Sequence, residues 1–360
     1  MKHISFMAYP ACRAQIWIAK DLHMVSNDNF KKAIDLISKS NDILITSHIK
    51  PDGDACGCVT AMCDALGALG KNVTPLLLSS VPQWYEFLFA EKAAVLGEDV
   101  PLEELIAGRF GQFDLIIIVD TNSHSQLAKF NDYLKQNDKP ILILDHHETS
   151  DGLGDVELVD SDAAATGLIV HDLLKYAGWP VTEKIAELLF VALATDTGWF
   201  QFSNSNSRVY RACAELIDAG VKPTQIYDHL YLNFSYPRFK LMAGMLDKLE
   251  LQLDGRYAAM QITKQDFERT GAAYSDTENL INECHRIDSI EASALFIELK
   301  DGRIRCSLRS RGSLDVSIIA AKFGGGGHSK AAGTFLPGPL ENAKQLIFSE
   351  ITTQIDKNKD

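Results

Sequence analysis

An α/β fold is predicted for this 360-residue chain: a mostly parallel sheet flanked by helices, joined by a helical connector to a smaller α+β domain. Three observations predict it. Short aliphatic runs alternate with amphipathic helical patterns over roughly residues 28–200. Those runs are apolar on both faces, as strands covered on both sides must be. Beyond residue 245 the texture changes to alternating runs joined across Asp-Gly pairs at 254–255 and 301–302, a strong hairpin signal.

The elements follow in order. Residues 1–23 mix Lys2, Arg13 and Lys20 with patchy apolar residues; they make a poor signal peptide and are expected to be a disordered extension. A helix through FKKAIDLI is expected to take Asn27 or Asp28 as its cap. DILITS (42–47), VTPLLL (73–78), DLIIIVD (114–120) and PILILD (140–145) read as buried strands. VTAMCDALGALG (59–70), QWYEFLFAEKAAVL (83–96), GLIVHDLLKYAG (167–178) and EKIAELLFVALATD (183–196) carry helical spacing. The first domain therefore spans 24–205. Residues 206–240 form a helical connector broken near Pro223 and Pro237, and 241–345 form the second domain.

A net charge of −13 argues against a passive grip on nucleic acid or an anionic membrane. It leaves room for a nucleotide bound through metal ions or a local basic patch. Seven scattered cysteines without a CxxC pair read as reduced thiols in a cytoplasmic protein, not as disulfides or a structural zinc site. No apolar run approaches membrane-spanning length, so no membrane association is expected.

The strand ends carry the chemistry. Ligands of open α/β sheets collect beyond the carboxyl ends of the strands. Here those ends lead to His48, Asp52 and Asp54 in HIKPDGDACG, to Asp120, and to Asp145, His146 and His147; a later helix ends on Asp196. Acids gathered at one edge repel one another unless cations intervene. Aspartates and histidines without thiolates favour Mn²⁺ or Mg²⁺. Gly53 is expected to bend the chain so that Asp52 and Asp54 serve two neighbouring ions, a device suited to in-line attack at phosphorus. Any one of these residues alone would read as a cap or a turn.

SHIKPDGDACG, IIVDTNS, LDHHET and ATDTG resemble, in order, the four motifs of the DHH phosphoesterase superfamily, and the tail at 304–333 is similar to the DHH-associated C-terminal domain. The resemblance covers roughly residues 24–340 and is strongest to the type that combines nano-RNase with 3′-phosphoadenosine-5′-phosphate phosphatase activity. It implies that His48, Asp52 and Asp120 hold one divalent ion, and that Asp54, Asp120, His146 and Asp196 hold a second. Mn²⁺ is expected, with Mg²⁺ or Co²⁺ as alternatives. It further implies that Asp145 orients His146, that His147 meets the substrate phosphate and assists the leaving group, and that the chain is a homodimer. DTNSHSQL (120–127) departs from the more acidic stretch common in relatives, and His124 is expected at the surface.

GGGGH (324–328) lacks the strand–turn–helix context of a dinucleotide fingerprint; its backbone N–H groups instead allow close approach of a phosphate or base. Arg303, Arg305 and Arg309 alternate along one strand and share a face, with Arg311 in the following turn. The resemblance implies substrate contacts from Arg309, Ser310, Arg311, Gly326, Gly327 and His328, whereas no aromatic stacking platform is evident beside the arginines. Short single-stranded RNA or DNA and a nucleoside bisphosphate are the implied substrates. The competing readings are a cyclic or linear dinucleotide phosphodiesterase, a pyrophosphatase or exopolyphosphatase, and a noncatalytic nucleotide sensor.

Overall fold

Aliphatic runs build a six-stranded, all-parallel sheet: β1 (Asp42–Thr46), β2 (Asn72–Leu77), β3 (Ala94–Val95), β4 (Leu115–Val119), β5 (Ile141–Asp145) and β6 (Val156–Val159), in the order β3-β2-β1-β4-β5-β6. The computed structural model describes residues 25–232 and 234–357, so the expectation for residues 1–23 lies outside the described residues. The chain divides into two compact units between Leu232 and Asn233.

Period-two alternation sends each strand's side chains into two separate cores. Ile43, Ile45, Ile117 and Leu144 pack with α1 (Asn27–Lys39), α2 (Gly53–Ala68), α5 (Thr166–Ala177) and α6 (Glu183–Asp196). Leu44, Ile116, Ile118 and Ile143 pack on the other face with α3 (Leu102–Ile106) and α4 (Phe130–Leu134). The strand order reverses between β1 and β4, which opens a crevice at their carboxyl ends. α1 is capped one residue earlier than predicted, by the Ser26 hydroxyl accepting from the Asn29 N–H.

The helix expected over 83–96 does not form. A 3₁₀ turn occupies Gln83–Leu88, Phe89 is extended, and Ala94–Val95 add β3 to the sheet beside Leu76 and Leu77. Ala93, Val95 and Leu77 bury together, so pairing at the sheet edge outweighs helical spacing here. The segment 206–240 divides at the unit boundary. α7 (Ser207–Asp218) and α8 (Pro223–Tyr231) lie in the first unit, and α9 (Tyr236–Asp247) lies in the second.

The second unit holds a mixed sheet, β7 (Glu250–Gln252), β8 (Tyr257–Ile262), β9 (Ala292–Glu298), β10 (Ile304–Ser310), β11 (Gly326–His328) and β12 (Ala331–Leu336), ordered β11-β12-β10-β9-β8-β7. The Asp-Gly hairpins join β7 to β8 and β9 to β10 as antiparallel pairs. α11 (Val316–Lys322) and α12 (Leu340–Lys357) cover one face, and α9 covers part of the other; α10 (Lys264–Thr270) packs on α9. No described helix is long and apolar enough to cross a membrane.

Candidate metal centre

The four predicted strand and helix ends converge. His48 follows β1, Asp52 caps α2 by accepting from the Asp54 and Ala55 N–H groups, and Asp54 sits in that helix's first turn. Asp120 follows β4 with φ +63°, a left-handed backbone that aspartate and asparagine adopt more readily than most side-chain-bearing residues. Asp145 ends β5, with His146 and His147 beyond it. Asp196 closes α6, and the next turn runs left-handed through Gly198, Trp199 and Phe200, held by Trp199 against Phe190, Tyr227 and Tyr231.

Donor atoms gather in three overlapping groups: His48, Asp52 and Asp120; Asp54, His146 and Asp196; and Asp120, His146 and His147. Asp120 offers one oxygen to each side. Its Oδ2 lies 3.3 Å from His48 Nε2 and its Oδ1 lies 3.5 Å from His146 Nε2. His146 Nε2 is also 3.2 Å from Asp196 Oδ2 and 3.9 Å from Asp54 Oδ2. The other ring nitrogens are pinned to carbonyls: His48 Nδ1 is 2.8 Å from Ile49 O, and His146 Nδ1 is 3.2 Å from Ala163 O. Such pinning turns each Nε2 toward the acids, the orientation metal-binding imidazoles take.

One role differs from expectation. Asp145 does not orient His146. Its Oδ1 accepts from the backbone N–H of His147 and lies 2.7 Å from His147 Nδ1, so this buried carboxylate positions the second histidine. Gly53 also serves a different purpose from the predicted bend. A Cβ there would lie 2.4 Å from Thr195 Oγ1, so glycine lets α2 approach α6 beside Asp196.

Residues the sequence did not reveal complete the frame. The N–H groups of Thr166 and Gly167 donate to the two oxygens of Asp54 at 2.6 and 2.9 Å, and the Thr166 hydroxyl donates to Asp120 Oδ1 at 2.9 Å. Arg208 bridges Asp160 and Asp172, which ties down the segment carrying Ala163. The Thr-Gly pair closing DSDAAATG was the available signal. A Cβ at Gly167 would lie 2.6 Å from Ala192 Cβ, so the close packing there needs glycine.

Electrostatics show a site built for cations. Burial, then the charges of Asp120 and Asp196, push the Asp54 carboxyl well above its usual range. Burial opposes protonation of His48 and His146, yet Asp120 carries His48 up to about 9, and the Asp196 hydrogen bond with the nearby carboxylates carries His146 up to about 10. Burial also disfavours the Asp120 charge, but the His48 hydrogen bond and the surrounding imidazoles hold its pKa below the usual range. Protons thus occupy the positions where metal would sit. Because metals take neutral imidazole and ionised carboxylate, loading at pH 7 is expected to release the protons held by His48, His146 and Asp54 and to weaken as pH falls. Calorimetric Mn²⁺ titration in buffers of different ionisation enthalpy measures that release; none released would remove His48 and His146 from the ligand set.

Residues 42–193 match the DHH family, N-terminal domain, and residues 254–357 match the DHHA1 domain. The chain belongs to the DHH family of phosphoesterases. It is 29 % identical over 317 residues to a bifunctional oligoribonuclease and PAP phosphatase, NrnA, of Thermus thermophilus, covering 88 % of this chain and 90 % of that one. A protein of the same description from Bacillus subtilis is 27 % identical over 303 residues, covering 82 % and 90 %. The solved structure of an exopolyphosphatase-related protein from Bacteroides fragilis shares the fold, with a TM-score of 0.88 at 23 % identity, covering 94 % of this chain and 99 % of that one.

The donors of this DHH centre suit the divalent ions of the family. All are carboxylate oxygens or imidazole nitrogens, and the nearest thiol, Cys58, donates to Asp54 Oδ1 while burial pushes its pKa far up. In the DHHA1 domain, Arg309 and Arg311 have no carboxylate within ion-pair distance among the described residues. Burial lowers the Arg309 pKa, a cost that an anionic ligand would offset. Ser310 does not join them; it turns inward and donates to Leu314 O and Ser329 O. Gly327 has φ +137°, and a Cβ there would lie 2.4 Å from Ala331 O, whereas Gly326 opens onto free space. The His328 side chain lies outside the described residues. His124 is exposed, as expected.

Proposed function

We propose that this DHH phosphoesterase hydrolyses the P–O3′ bond of very short RNA, giving 5′-mononucleotides, and removes the 3′-phosphate of 3′-phosphoadenosine 5′-phosphate. One bond unifies the two activities, because each substrate carries a phosphate on a 3′-oxygen. The observation that carries the reading is the convergence of six side chains able to hold metal, His48, Asp52, Asp54, Asp120, His146 and Asp196, in a chain matching the bifunctional relatives over most of its length. Two divalent ions, Mn²⁺ by preference, would supply Lewis acidity and a nucleophilic water at neutral pH.

The chain's own groups do the rest. His147, held by Asp145, donates a proton to the departing 3′-oxygen. Thr166 and Gly167 keep Asp54 and Asp120 in place. Arg309 and Arg311 of the DHHA1 domain neutralise a phosphate of the bound nucleotide. The six described cysteines are all free thiols, which supports a cytoplasmic setting. We place the protein there as a homodimer. Most of α5 and α6 packs in the core, and exposed apolar residues such as Phe202 and Tyr210 are among those available to an interface.

A Mn²⁺-supplemented panel tests the reading, offering RNA of about two to five residues, the bisphosphate nucleotide, cyclic di-AMP and pyrophosphate. Turnover of the first two is expected. Turnover of pyrophosphate alone would overturn it, and preference for the cyclic dinucleotide would select the phosphodiesterase reading.

A further inference from the structure

We infer that the open face of the β10–β12 sheet, between Arg309 and Arg305, is a stacking subsite for the bases of a single-stranded oligonucleotide, with Tyr274 and Phe335 as its platform. The inference rests on the RNA reading above and names what grips the bases. Where the sequence made no aromatic stacking platform evident, two rings stand beside arginines of this strand region, Tyr274 by Arg305 and Phe335 by Arg303.

The strand register makes the face explicit. Arg305 lies directly opposite Phe335 on β12, and Arg309 lies opposite Ala331. Between them Ser307 faces Gly333, which in turn faces Gly326 on β11. Directly opposed residues, and residues two apart on one strand, point the same way, so all of these share one face. Toward β9 that face is closed by the core around Leu241 and Met245. Toward β11 it is open: Phe335 is 52 % exposed, and a Cβ on Gly326 would meet nothing within 4 Å. The result is a trough floored by glycine and walled at one end by aromatics.

The wall has the chemistry of single-strand recognition. Arg305 Nη1 donates to the Tyr274 hydroxyl at 2.8 Å, and its guanidinium lies 5.6 Å from the centre of that ring. The Arg303 guanidinium lies 5.0 Å from the Phe335 ring centre. Arg303 is neutralised by Asp301, whereas Arg305, like Arg309, has no carboxylate within ion-pair distance among the described residues. A solvated strand face needs no exposed aromatic rings. An acidic peptide would satisfy the arginines but leave the rings unused. Bases stacked on aromatics with phosphates on guanidinium groups satisfy both. Arg309 and Arg305 are four residues apart on one strand, about 13 Å, a span that suits an oligomer of a few residues.

The test is binding in a metal chelator, where nothing is hydrolysed, so it reads independently of the proposed activity. The probes are a fluorescent pentaribonucleotide and its abasic counterpart, followed by anisotropy on the full chain. The parent protein is expected to bind the base-bearing oligomer about 5- to 100-fold more tightly than the abasic one. Phe335→Ala and Tyr274→Ala should each remove most of that difference, leave abasic binding unchanged, and in the case of Phe335→Trp recover it. Equal binding of the two oligomers by the parent protein overturns the subsite. So does an undiminished difference in both alanine variants. Absence of RNA turnover with Mn²⁺, with the base preference intact, would instead overturn the activity and leave the surface standing.

Discussion

Asp120→Asn is expected to lower kcat/KM on short RNA by roughly 10³-fold or more, a loss of several kcal/mol in transition-state stabilisation. The substitution isolates charge from shape. Asparagine tolerates the left-handed backbone at φ +63° about as well as aspartate does, so the turn after β4 should persist. What disappears is the carboxylate shared by the His48 and His146 groups. An amide has one oxygen and no charge, and cannot serve both sides. Mn²⁺ stoichiometry should therefore fall below that of the parent. Asp196→Asn, which touches only the His146 side, should leave the His48 group able to load. The measurements are Mn²⁺ titration followed by paramagnetic resonance, alongside steady-state kinetics. Activity within tenfold of the parent, with two ions still bound, would remove Asp120 from the shared position.

That position was legible because sheet topology is legible. Short β-branched runs such as LIIIV, bounded by polar residues, read as buried strands, and in a parallel sheet their carboxyl ends share one edge. Polar residues at those ends then announce themselves. β3 and β6 were not legible for the complementary reason: two and four residues at the sheet edges leave too little pattern to read. Contacts made through backbone were equally hidden. Nothing in the side chain of Gly167 says that its N–H holds Asp54. Nor does the spacing of Tyr274 and Arg305, 31 residues apart, say that a 3₁₀ turn places one ring against the other's guanidinium. Ser310, a substrate contact by resemblance, is turned away by strand register. Alternation along β10 puts it on the face opposite Arg309, where it closes a turn.

Asp145→Asn separates the role the structure gives this carboxylate from the one its sequence position suggests. If Asp145 oriented His146, its loss should weaken metal affinity by about 10- to 100-fold, the usual effect of removing a group that holds a metal ligand. Here Ala163 O holds His146 and Asp145 holds His147, so metal affinity is expected to stay within about threefold of the parent while kcat falls about 10²- to 10⁴-fold, the typical worth of a positioned general acid. Two further readouts identify the step. The Asp145 hydrogen bond is the foremost cause of the raised His147 pKa, with burial opposing it. A proton donor with a raised pKa stays active to higher pH. Removing the Asp145 charge lowers that pKa, so the alkaline limb of the pH–kcat profile should move toward lower pH. A nucleotide ester of 4-nitrophenol, whose leaving group needs no proton, should lose far less rate than RNA does. Equal losses on both substrates with a weakened metal site would return Asp145 to His146.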